Sequence, residues 1–157
     1  MNNCTKIRVS GFVEESVVDG PGIRFVIFAQ GCERNCPDCH NPQTHDLSGG
    51  YEITIDAILK MIDSNPLLDG VTFSGGEPLL QAKEFAELAK HCQNRKLSVA
   101  VYTGFYYEEI LENQNNNDWQ ELLKQTNILI DGPFEQEKRT TEIAFRGSEN
   151  QRMWNIN

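Results

Sequence analysis

Residues 70–104 read GVTFSGGEPLLQAKEFAELAKHCQNRKLSVAVYTG, and this stretch decides the fold. Gly70–Ser74 (GVTFS) is a short run of apolar, β-branched and aromatic residues that stops at Gly75-Gly76, as a strand does. Gln81–Asn94 then sets Phe85, Leu88, Ala89 and Cys92 three and four residues apart, the spacing of one helix face. Leu97–Tyr102 (LSVAVY) is a second strand and ends at Thr103-Gly104. A strand, a helix and another strand in that order join parallel neighbours of a sheet.

The same alternation extends in both directions. Upstream, Arg24–Gln30 (RFVIFAQ) reads as a strand, and Thr54–Ser64 as a helix with Ile55, Ile58, Leu59 and Ile62 on one face, stopped by Asn65-Pro66. Downstream, Tyr106–Glu112 and Asp118–Gln125 are short helices around the polar loop Asn113–Asn117, and Asn127–Asp131 (NILID) is a strand ending at Gly132-Pro133. A chain of 157 residues holds five or so such units at roughly 30 residues each, too few for a closed eight-fold barrel of about 250 residues. One domain over residues 1–157 is expected, with no internal repeat and no linker.

Composition narrows the class. Hydrophobic residues make up 39% and charged residues 24%, enough for a core. No apolar run approaches the roughly 20 residues of a membrane span, and MNNCTKIRVSGF has no apolar signal stretch, so a soluble cytoplasmic protein is expected. The net charge of -9 speaks against nucleic acid as a partner, because phosphate backbones are bound by Lys and Arg.

In parallel sheets ligands gather at the carboxyl ends of strands. The unusual clusters of this chain all stand there: GCERNCPDC after the first strand, SGGEP after the second, YTG after the third and DGPF after the fourth. Cys32, Cys36 and Cys39 are three of the five cysteines, packed within eight residues. Three thiolates on a tight loop suit a soft metal or an iron–sulfur cluster. A structural zinc would need a fourth ligand, from His40, His45 or a distant cysteine. Three cysteines on a four-iron cluster leave one iron open to a substrate. In Ser74-Gly75-Gly76-Glu77-Pro78 the glycines admit a ligand to the backbone, and Glu77 can hold an ammonium.

The CxxxCxxC triplet followed by GGEP resembles the radical S-adenosylmethionine enzymes. The resemblance implies that Cys32, Cys36 and Cys39 hold a [4Fe–4S] cluster, that its open iron chelates the amino and carboxylate groups of S-adenosylmethionine, and that Ser74, Gly75, Gly76 and Glu77 line the methionine end of that cofactor. Val18–Arg24 (VDGPGIR) resembles a segment of the glycyl-radical-enzyme activases. Tyr102-Thr103-Gly104, Asp131–Phe134 and above all Phe145–Arg152 (FRGSENQR) are similar to the activating proteins of anaerobic, class III ribonucleotide reductases. The fold implied is α/β, an incomplete βα barrel of about five to six mostly parallel strands with helices outside. Asp38 stands where many such enzymes carry an aromatic residue near the adenine, which turns that contact to a neighbour, His40 being the candidate. Both are counted in the cofactor site, with Thr103 and Asp131 at two strand ends.

The activity implied is one-electron cleavage of S-adenosylmethionine to a 5′-deoxyadenosyl radical, which makes a glycyl radical on the anaerobic ribonucleoside-triphosphate reductase. The reductase is the expected partner, and flavodoxin an example of the electron donor. Two other readings compete. One is a small radical S-adenosylmethionine enzyme acting on a small molecule, such as a 7-carboxy-7-deazaguanine synthase, which lacks the RGSxNQR tail. The other is a zinc-binding module without enzymatic activity. Arg24 and Arg146 are candidates to hold the cofactor carboxylate or dock the partner. Cys92 reads as a core thiol, Cys4 as incidental, and Trp154 as a residue of the docking tail.

Overall fold

The computed structural model describes residues 5–31, 46 and 49–157. Cys4, Cys32, Cys36, Asp38, Cys39, His40 and His45 lie outside the described residues. Seven strands form one sheet, β1 (Lys6–Ser16), β2 (Arg24–Ala29), β3 (Tyr51–Thr54), β4 (Gly70–Gly75), β5 (Ser98–Tyr102), β6 (Ile128–Asp131) and β7 (Arg152–Asn155). Their spatial order is β3-β1-β2-β4-β5-β6-β7. The four inner strands β2, β4, β5 and β6 are mutually parallel, while β1 runs antiparallel to β2 and β3, and β7 antiparallel to β6.

The four parallel strands are those expected from sequence. They are almost continuously apolar because a buried parallel strand is covered on both faces. The sheet nevertheless has seven strands rather than five to six, and only its core is parallel. The three additional strands hide for physical reasons. The alternation of β1 is broken by register shifts between Val9 and Gly11 and between Val13 and Ser16, each of which slips the two-residue period. Strands β3 and β7 are four residues each and half exposed.

Four helices, α1 (Ile55–Asp63), α2 (Ala82–Asn94), α3 (Tyr107–Glu112) and α4 (Asn117–Gln125), connect the strands. Local chemistry sets their starts: Thr54 Oγ1 accepts the amide of Ala57, and Asn116 Oδ1 that of Trp119. Their buried residues, including Ile58, Ile62, Phe85, Leu88, Ile110 and Leu122, pack into one cluster with Phe25, Ile27, Val71, Phe73, Val99, Val101 and Leu129. Cys92 is fully buried in that cluster, and burial pushes its thiol up to about 12. All four helices therefore cover one face of the sheet. Strand residues alternate between faces, so Arg24, Thr72, Ser98, Ala100, Tyr102, Ile128 and Ile130 belong to the other. There Ala100, Ile128 and Ile130 form a smaller cluster with Tyr102 and Phe145.

Arg24 corrects an expectation. Its side chain is 1% exposed at the amino ends of the parallel strands, opposite the ends where the motif clusters stand. Nε donates to Thr72 Oγ1 at 2.8 Å, Nη1 to the Pro21 carbonyl at 2.8 Å, and Nη2 to the Val71 carbonyl at 2.8 Å and the Ser98 carbonyl at 2.9 Å. A Cβ on Gly70 would come within 2.6 Å of Nη2, so that glycine makes room for the guanidinium. Burial lowers the pKa of this group, and it docks no ligand from this position. The Asp19–Gly22 turn is tied to the same end, with the Asp19 carbonyl accepting Thr72 Oγ1–H at 2.6 Å. Among the described residues no helix is long and apolar enough to cross a membrane.

Candidate active site

Four chain segments meet at the carboxyl ends of the parallel strands. After β2, the amide of Gln30 donates to the Arg8 carbonyl at 3.0 Å, and its side-chain amide to the Asp46 carbonyl at 2.7 Å. Gln30 thus pins together the two ends of the segment that carries the three cysteines. The donor chemistry of that segment, three thiols within eight residues of sequence, fits an iron–sulfur cluster.

The β4 end leans on the root of that segment. Gly75 has φ +89°, and a Cβ there would fall 2.6 Å from the Ala29 amide nitrogen. Only glycine allows this approach. The Gly76 amide donates to the Ala29 carbonyl at 2.8 Å, and the Glu77 amide to the Gly31 carbonyl at 2.7 Å. The motif SGGE therefore runs beside β2 up to the residue before Cys32. Ser74 stands on the face of β4 away from the helices, paired in register with Phe28.

Glu77 is 3% exposed. Its carboxylate accepts the Leu79 amide at 3.1 Å and the Thr103 hydroxyl at 2.8 Å on Oε2, and the Gly104 amide at 2.7 Å on Oε1. Thr103 is itself held, with its amide donating to the Ile130 carbonyl at 3.0 Å and its hydroxyl oxygen accepting the Phe105 amide at 3.2 Å. The ends of β4, β5 and β6 are joined into one unit by these contacts.

At the β6 end Asp131 is fully buried. Oδ1 accepts the Arg152 amide and Nε, each at 3.2 Å, while Oδ2 accepts the Tyr107 amide at 2.8 Å and Arg152 Nη2 at 2.6 Å. The four acceptor directions of the carboxylate are thus occupied within the protein. Arg152 reaches on to Glu108, with Nη1 and Nη2 at 2.8 and 2.6 Å from its two oxygens, and its guanidinium lies 5.2 and 4.9 Å from the Tyr106 and Trp154 rings. The hydrogen bonds from Arg152 hold the Glu108 carboxyl below its ordinary value, and the two acids raise the pKa of Arg152.

The FRGSENQR segment is wired into this end. The Gln151 side-chain amide donates to the Gly132 carbonyl at 3.0 Å and its oxygen accepts the Gly147 amide at 2.8 Å, while Asn150 donates to the Pro133 carbonyl at 2.8 Å and to the Tyr106 hydroxyl at 3.1 Å. Phe145 has φ +64°, and its carbonyl accepts the Tyr102 hydroxyl at 2.7 Å. Burial raises the pKa of that hydroxyl. Arg146 is half-buried on the same strap, its Nε donating to the Ala144 carbonyl.

The structure brings Ser74, Gly75, Gly76, Glu77, Thr103 and Asp131 to one end of the sheet. Sequence reasoning gave no role to Gln30, Glu108 or Arg152. A strand-terminal glutamine just before a cysteine loop was the available signal for the first. Arg152 was legible only as the end of the FRGSENQR motif, and its pairing with Glu108 spans 44 residues and left no local trace.

A family model for a 4Fe-4S single cluster domain matches residues 18–154. The anaerobic ribonucleoside-triphosphate reductase-activating protein of Enterobacteria phage T4 is 31% identical over 143 residues, 87% of this chain and 86% of that protein. The chain is a member of the radical S-adenosylmethionine activating enzymes. The pyruvate formate-lyase-activating enzyme of Clostridium pasteurianum is 42% identical over 114 residues, 67% of this activating enzyme but 48% of the relative. The Salmonella typhi reductase-activating protein is 29% identical over 92% of this chain and 96% of its own. The chain thus spans about half the length of the formate-lyase relative and most of the reductase-activating ones. In three dimensions the chain is similar to the crystal structure of QueE from Escherichia coli, with a TM-score of 0.50 and 15% identity over 63% of this chain and 52% of that one. That likeness concerns the fold alone.

Proposed function

We propose that this chain activates an anaerobic ribonucleoside-triphosphate reductase by placing a glycyl radical on it. The observation that carries the choice of partner is the FRGSENQR segment, which resembles that subgroup and is fastened by Asn150, Gln151 and Arg152 to the strand end beside Glu77. Cys32, Cys36 and Cys39 would hold one [4Fe–4S] cluster on the segment that Gln30 closes. When bound, the cluster would supply one-electron reductive cleavage of S-adenosylmethionine and, through it, abstraction of a hydrogen atom from a glycine α-carbon of the reductase.

The chain's own residues bind and orient. Gly75 and Gly76 let a ligand reach the backbone, and Ser74 stands on the face away from the helices. The buried anionic Glu77 suits the cofactor's ammonium, because charge-assisted hydrogen bonds are the stronger ones. Asp38 and His40 complete the cofactor site in this reading, with Thr103 and Asp131 acting through the strand ends they brace. We read the sheet as an incomplete barrel within a single domain, helices outside, whose uncovered side admits a loop of another protein. A reduced flavodoxin suits the donor's role.

The test is anaerobic reconstitution with iron and sulfide, reduction in the presence of S-adenosylmethionine, and addition of the reductase or of pyruvate formate-lyase. A glycyl radical seen by electron paramagnetic resonance on the reductase is the expected result. Cleavage without a radical on either protein would favour a small-molecule substrate, and a colourless protein with zinc and no iron a zinc module. Replacing Cys32, Cys36 or Cys39 by Ala should abolish iron binding and cleavage, and Cys92→Ala neither.

A further inference from the structure

The Thr103 hydroxyl has one proton and a fixed direction. Its oxygen accepts the Phe105 amide at 3.2 Å, and its proton goes to Glu77 Oε2 at 2.8 Å. Thr103 is 5% exposed and its own amide is tied to β6 through the Ile130 carbonyl. The Glu77 carboxylate meets two more donors, the amides of Leu79 and Gly104. Leu79 lies in the short 3-10 turn that Glu77 itself caps, so it moves with Glu77. Of the described contacts on the carboxylate, the two from the β5 end tie it to the sheet, and Thr103 supplies the side chain of that pair.

We propose that Thr103 is a positioning residue for Glu77, setting how well the site recognises the α-ammonium of an amino-acid sulfonium without touching it. This rests on the functional reading above and deepens it. A charged acceptor held by a neutral hydroxyl gains both orientation and strength from that bond. Removing the hydroxyl withdraws a donor from Oε2 and loosens the tie between the carboxylate and the β5 end. Serine offers the same oxygen and the same proton.

The experiment compares wild type, Thr103→Val and Thr103→Ser after anaerobic reconstitution. Iron content is measured, together with equilibrium binding of S-adenosylmethionine and of its des-amino analogue. Thr103→Val should load iron as wild type does, bind S-adenosylmethionine about tenfold more weakly, and shrink the preference for it over the des-amino analogue by a similar factor. Thr103→Ser should restore both. A purely structural role for Thr103 would weaken the two ligands equally and leave the preference unchanged, and that result overturns the proposal. Should Thr103→Val fail to load iron, Thr103→Ala carries the comparison, and a preference retained in Thr103→Ala overturns it equally. A wild-type protein that binds neither ligand would instead overturn the functional reading.

Discussion

At the amino ends of β2, β4 and β5 a buried guanidinium, Arg24, is surrounded by neutral acceptors, while at the carboxyl ends of the same sheet buried carboxylates, Glu77 and Asp131, are surrounded by donors. Both ends satisfy a charge that would otherwise be costly to bury. They differ in what holds the charge. Arg24 bonds to three carbonyls and two hydroxyls along the strand starts, and each bond closes a gap in the sheet. Glu77 is held by the loop amides and the hydroxyl that follow the strands. One end is architecture. At the other, Asp131 is matched by Arg152, while Glu77 is held by loop donors, where the proposed ammonium would use its charge.

The sharpest way to break this contrast is Arg24→Ala. It leaves buried carbonyls without donors and opens a cavity, and should cost about 3–5 kcal/mol of stability in a denaturant titration. Arg24→Lys should rescue little, because an ammonium lacks the planar fork that reaches β4, β5 and the Pro21 turn at once. Next comes Glu77→Gln, which sets an amide N–H against the Leu79, Thr103 or Gly104 donors and removes the charge. S-adenosylmethionine binding should weaken about a hundredfold, with a smaller loss of stability of about 1–3 kcal/mol. If Glu77→Gln instead unfolded the protein as badly as Arg24→Ala, the two ends would not differ as described.

Arg152→Gln follows, because its effect falls on stability alone. It withdraws the cation from Asp131 and Glu108 and should cost about 1.5–3 kcal/mol, seen as a lower melting temperature. Its pH dependence sharpens the point. Arg152 lowers the folded-state pKa of Glu108, so that pair adds stability above the ordinary glutamate value and loses it as pH falls through the lowered one. The gap between wild type and Arg152→Gln should accordingly narrow in acid. The smallest effect belongs to Cys92. With its thiol pushed up to about 12 by burial, it should stay unlabelled by a thiol reagent at pH 8 until the chain unfolds, as peptide mass analysis would show.

The legible parts of the molecule share a property. Strands β2, β4, β5 and β6 and the helices between them could be read because their periodicity is local, within a dozen residues. The meeting of SGGE, YTG and DGPF at one end followed from strand direction alone. What could not be read depends on distant partners. Ser10-Gly11 hides β1 behind a slipped register, and β7 is four residues whose place comes from pairing with β6. Arg24 looked available for a ligand because its acceptors, at Val71 and Ser98, lie 47 and 74 residues away. Asp131 reads in the sequence as a cofactor-site residue at a strand end, and its binding to Arg152 needed the return of the chain 21 residues later.

That return sets an order of events in time. Chains fold from the amino terminus as they leave the ribosome, and here β6 is made well before the strand that borders it. Until Arg152 emerges, Asp131 has no guanidinium, Glu108 no partner, and the Gly132-Pro133 turn none of its ties to Asn150 and Gln151. The cysteine segment, by contrast, is among the first parts synthesised, and its thiols wait while more than a hundred residues follow. The β6 end of the sheet is therefore completed long after the segment that carries the three thiols has been made.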